Sequence, residues 1–128
     1  MKARWTTAAA AALGLALSAC GVGLSFGFGP DDDPPSVSLA AAPSSAAPGG
    51  RIGLVAAASD DYVVSEVLFF RIDAGSDTLL GRDRSEPYAL ETTLPAAAFG
   101  EVRYFAVAVD DAGQETRSQD VTVTVSAL

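Results

Sequence analysis

The chain has 128 residues, with 16 acidic and 8 basic side chains, a formal net charge of −8, one cysteine and no histidine. A chain this acidic is drawn neither to nucleic acid nor to anionic headgroups, and without histidine or a second cysteine it lacks the residues of the common triads, thiol–imidazole sites and zinc sites. Asp60 and Asp61 are adjacent rather than facing across a cleft, and Gly49-Gly50 leads into a strand-like run instead of a helix, so neither paired-carboxylate catalysis nor a phosphate loop is expected.

The first stretch reads as an address. Lys2 and Arg4 precede an apolar run from Trp5 to Ala19 that is too short to span a bilayer. It ends in Leu17-Ser18-Ala19-Cys20. This stretch resembles the signal of bacterial lipoproteins, whose lipobox is a leucine, a small or polar residue, an alanine or glycine, and a cysteine. The resemblance implies that residues 1–19 are removed, that the Cys20 sulfur carries a diacylglycerol and that the new amino terminus is acylated. Cys20 has no second cysteine to pair with, and two or three acyl chains anchor a protein where one holds it only reversibly. Gly21 stands where an aspartate commonly signals inner-membrane retention in that family, which favours the outer membrane. The competing reading is an ordinary secretory signal with a chance cysteine near its end.

Residues 20–35 read as a flexible tether. Gly21, Gly23, Gly27 and Gly29 interrupt regular structure, Pro30, Pro34 and Pro35 stiffen the chain, and Asp31 to Asp33 keep it solvated. Leu24, Phe26 and Phe28 lie close enough to Cys20 to dip into a headgroup region, or else simply continue the composition of the signal.

From Ser36 the pattern changes to short strand-like runs separated by turn residues, with no helical period. The expected strands are Ser36 to Ala42, Arg51 to Ala58, Ser65 to Ile72, Thr78 to Arg82, Tyr88 to Leu94, Val102 to Val109 and Thr116 to Val125. The connections run over Pro43 to Gly50, the Asp60-Asp61 loop, a corner at Pro95 to Gly100 with a helical turn at Ala96 to Phe99, and a hairpin turn at Asp110 to Gly113. Residues 36–128 therefore form an all-β, seven-stranded immunoglobulin-like sandwich.

Within this region the chain resembles the bacterial immunoglobulin-like (Big) domain family. The matching pieces are Val67-Leu68-Phe69-Phe70, Leu79-Leu80-Gly81-Arg82-Asp83, Pro87-Tyr88, the run from Ala106 to Gly113 and the closing Val121 to Val125. Two features depart from the family. Thr92 replaces an aromatic, often Trp, in the strand after Pro-Tyr, and the turn between Ile72 and Thr78 is unusually full.

Alternation leaves two registers open. One places Val67, Phe69, Val102, Tyr104, Ala106 and Ala108 inside, as the family does; hydrophobic size alone would bury Leu68, Phe70, Ile72, Phe105, Val107 and Val109. Either way an apolar row on neighbouring strands faces outward. Leu68, Phe70, Phe105 and Val107 are accordingly a candidate binding face for a partner protein, another copy or the base of the tether, unless loops or twist cover them.

Asp60, Asp61, Asp110 and Asp111, with Asp31 to Asp33, should gather at one pole. Such a pole suits Ca2+, which takes about six to eight oxygen ligands. The same residues also serve as ordinary turn formers, and no alternating aspartate loop is present.

The sequence thus predicts a lipid-anchored envelope protein, without catalysis or a cofactor beyond the lipid on Cys20. Its module would meet a protein partner of unspecified identity. The alternatives are a carbohydrate-binding or adhesion module, for which Tyr62 is the best stacking residue while Tyr88 and Tyr104 read as core, and a purely structural spacer.

Overall fold

The computed structural model describes residues 33–126. The signal, Leu17, Ser18, Ala19, Cys20 and the tether as far as residue 32 lie outside the described residues. The strands are β1 (Ser36–Ala42), β2 (Ser45–Ala46), β3 (Arg51–Ser59), β4 (Val64–Asp73), β5 (Ser76–Asp83), β6 (Tyr88–Thr93), β7 (Glu101–Asp110), β8 (Glu115–Arg117) and β9 (Val121–Val125). They form two sheets. One has the order β1-β3-β6; the other has the order β2-β9-β7-β4-β5, with β8 also on β7. This is an immunoglobulin-like sandwich, and the all-β expectation holds.

The core lies between the sheets. Ile52, Leu54 and Ala56 of β3 and Tyr88 of β6 meet Val67 and Phe69 of β4, Tyr104, Ala106 and Ala108 of β7, and Val123 of β9, with Leu94 closing one end. The family register is therefore the one adopted. Its reason is volume complementarity: Val67 stands directly opposite Ala108 and Phe69 opposite Ala106, so each large side chain has a small neighbour. Residue size, taken strand by strand, misses this because it ignores what stands alongside.

Seven expected strands become nine elements. The Pro43 to Gly50 turn contains β2, which runs parallel to β9 with Thr124 opposite Ser45. The expected strand Thr116 to Val125 is interrupted. Ser118 is buried, its Oγ accepts the Ala106 N–H at 2.9 Å and donates to the Gln119 carbonyl at 2.9 Å, and its own N–H reaches the Ala106 carbonyl at 2.8 Å. Arg117 pairs with Val107 before this point and Val121 with Tyr104 after it, which is a slip of one residue. A one-residue slip exchanges the faces of a strand. Here it turns Val121, Val123 and Val125 towards the core while Arg117 stays outside.

Two further readings are corrected. The stretch after Ile72 is not a full loop: Asp73 pairs with Ser76 across a two-residue turn, where Gly75 takes φ +85°. Instead of a helical turn at Ala96 to Phe99, Pro95 to Ala98 makes one hydrogen-bonded turn, Ala98 N–H to the Pro95 carbonyl at 3.0 Å, and no helix. β5, expected over Thr78 to Arg82, carries a bulge that changes register between Phe69–Gly81 and Phe70–Leu79.

Candidate interaction face

β7 and β4 pair so that Phe70 stands opposite Phe105 and Leu68 opposite Val107 on the outer side of the larger sheet. These are the four residues the sequence singles out, and the strands bring them together as one patch. The Phe70 and Phe105 rings stack with centroids 4.9 Å apart and planes 8° apart. The Arg117 guanidinium lies 3.7 Å over the Phe105 ring, from β8. Phe105 is thereby 4% exposed, whereas Leu68, Phe70 and Val107 remain half-buried at the surface. The large aromatic tolerates an outward position because a ring and a cation cover it, an arrangement favoured by the ring quadrupole.

The bulge at Leu80 adds a residue the sequence reading missed. It leaves Leu79 opposite Phe70 and 44% exposed, so the apolar row continues onto β5. Arginines border the row: Arg82 opposite Leu68, Arg117 opposite Val107, and Arg103 opposite Ile72. Their partners hold them in place. Glu66 receives Arg82 at 3.6 Å and Arg84 at 3.3 Å; Asp120 receives Arg117 at 2.9 Å and Arg103 at 3.7 Å. The signal for this border was present in strand parity, since Arg103 shares the side of Phe105 on β7. For Arg117 it depended on the slip at Ser118.

The acidic residues play a different part. Ser36 pairs with Ser59 and Val64 with Asp110, so the start of β1, the β3–β4 loop and the β7–β8 turn do share one end. Asp110, however, is buried and spent within its own turn. It accepts the Ala112 and Gln114 N–H groups at 3.0 and 2.7 Å and the Gln114 side-chain amide at 3.1 Å, and Gly113 takes φ +87°. Asp60 accepts the Tyr62 N–H at 3.3 Å, while Asp61 and Asp111 are exposed. Among the described residues no three acidic side chains converge as a cation site. Asp60 and Asp110 thus act as turn formers through their carboxylates, while Asp61 and Asp111 stand exposed to solvent.

Carboxylates near the sheet edges are the perturbed ones. Arg71 donates two hydrogen bonds to Asp73, at 2.8 and 3.1 Å, and Thr78 donates a third, which together hold the Asp73 carboxyl below the usual value of 3.8. Asp83 is lowered likewise by the N–H groups of Ala89 and Ser85. Tyr88 and Tyr104 are core residues, and burial raises both phenols. Tyr62 and Phe99 are exposed, 54% and 86%, but they sit at opposite ends of the sandwich, in the β3–β4 and β6–β7 connections.

No protein-family model matches the sequence, and no curated protein matches it. Among solved structures the chain is similar to the fibronectin(III)-like modules of Clostridium thermocellum CbhA. The match has a TM-score of 0.58 and 28% identity, and covers 73% of this chain and 100% of that one. The shared feature is the immunoglobulin-like sandwich.

Proposed function

We propose that this chain is a lipid-anchored cell-envelope protein, held by Cys20 with the outer membrane favoured, whose immunoglobulin-like module docks a protein partner without catalysis. The observation that supports the reading is the outward row of Leu68, Phe70, Val107 and Leu79, bordered by Arg82, Arg103 and Arg117. Apolar residues with arginine around them match the composition of protein-contact surfaces. A sugar-binding role finds less support, since Tyr62 and Phe99, the exposed aromatics among the described residues, are at opposite ends and offer no common platform.

The anchored wild-type chain and a Leu79→Asp variant are compared for capture of envelope proteins, with Thr93→Asp on the other sheet as control. Wild type and the control should retain one specific partner that Leu79→Asp loses at least about tenfold, the equivalent of one unpaired charge in a contact. Equal capture by all three, or none by wild type, overturns the reading. Binding to a glycan array that Leu79→Asp leaves unchanged would favour the adhesion alternative.

A further inference from the structure

The free edges of the two sheets differ in how they are guarded. β5 carries Asp77, Arg82, Asp83 and a bulge; β6 follows Pro87 and carries Glu91; β2 is two residues long. Charges, bulges, prolines and shortness are the usual devices that keep one edge from pairing with another. β1 is bounded by Pro34-Pro35 and Pro43, but its seven residues, Ser-Val-Ser-Leu-Ala-Ala-Ala, hold no charge and no bulge, and its register with β3 runs unbroken from Ser36–Ser59 to Ala42–Gly53. Among the described residues only β3 is hydrogen-bonded to it, while Gln119 and Asp120 of the β8–β9 connection line a cleft with its Val37, Ser38 and Leu39.

Charge narrows the occupant. The chain has a net charge of −8, so two copies repel across most of their surface. The sheet of β1, β3 and β6 is the exception. Its strands hold one arginine and one glutamate, Arg51 and Glu91, and these two pair with each other at 3.4 Å. The remaining outward positions are small and uncharged, with Ser38 beside Ala57 and Ala40 beside Val55 beside Ala89. Asp120, the carboxylate beside the β1 edge, is held by Arg103 and Arg117, so a second copy can approach here without bringing unpaired like charges together.

We infer that β1 pairs antiparallel with β1 of a second copy across a two-fold axis, joining the two small sheets into one of six strands. With Leu39 opposite Leu39 of the second copy, all seven residues find partners. Val37 then faces Ala41 and Ser38 faces Ala40, and the inward-leaning Val37, Leu39 and Ala41 stay on one side. The arrangement is independent of the partner-binding face, which belongs to the other sheet.

Sedimentation equilibrium of the intact, membrane-extracted chain in detergent tests it, using two charge-swapped double variants. In Ser38→Lys/Ala40→Lys and in Ser38→Asp/Ala40→Asp, like charges oppose each other at both 38–40 pairs. The wild type should dimerise, each double variant should associate at least about tenfold more weakly, and an equimolar mixture of the two should recover a heterodimer. A monomeric wild type at millimolar concentration overturns the inference. So do double variants that dimerise like wild type, and a mixture that stays monomeric while both variants keep the wild-type melting temperature.

Discussion

Asp110 shows how much one side chain can decide. It is buried, and three hydrogen bonds from Ala112 and Gln114 end on its carboxylate. Hydrogen bonds to a charged group are worth more than neutral ones, and orphaned N–H groups add a cost. Asp110→Ala should lower unfolding stability by about 3 kcal/mol in urea titrations, with Asp110→Asn losing less. A change under about 0.5 kcal/mol would mean the turn closes without it. Asp73 carries a different prediction. Its carboxyl is lowered first by the Arg71 hydrogen bonds and then by Thr78, so its contribution is in force above the ordinary value of 3.8 and fades as pH falls through the lower folded value. The gap in melting temperature between wild type and Asp73→Asn should therefore be widest near neutrality and shrink towards pH ~2. A gap that stays constant with pH would show that Asp73 acts through shape rather than charge. Asp110 was legible in the sequence as a turn residue, whereas its burial was not, because that depends on the β7–β8 turn folding back over its own start.

At the scale of the element, strand positions were legible and strand faces only partly so. Six of the seven expected strands match observed ones to within two residues at either end, since alternation and turn residues are local signals. Two slips lay beyond them. The bulge at Leu80 and the insertion at Ser118 each change which residues face outward, and each is set by pairing across strands. Leu79 and Arg117 therefore joined the candidate face only once the ladders were known. Ser118 is the pivot of the second slip. Ser118→Ala leaves the buried Ala106 N–H without its Oγ acceptor, an expected loss of about 1–3 kcal/mol by chemical denaturation. Greater protection of the Ala106 amide in the variant, by hydrogen exchange, would show that β8 and β9 had merged into one continuous strand.

For the whole molecule, the sandwich divides its labour between two sheets. The larger one gathers most of the charge and sets Leu68, Phe70, Phe105 and Val107 among arginines; the smaller one is neutral and has an unguarded edge at β1. Composition alone pointed to contact rather than chemistry, because a chain without histidine and with one cysteine has few catalytic groups to assemble. What composition could not supply was which apolar row faces outward, since both parities of β4 and β7 are hydrophobic.

The central claim is that the Cys20 anchor and the face around Leu68 serve one task, meeting a protein in the envelope. Its most direct test is a photo-crosslinking residue at position 68 in living cells, in the wild-type background and with Cys20→Ala, while intact mass and membrane fractionation report the lipid. Wild type should show lipid mass, membrane fractionation and a discrete adduct, and Cys20→Ala should lose all three. An adduct of the same size and yield in both backgrounds, or none in a wild type that is lipidated and folded, would contradict the claim.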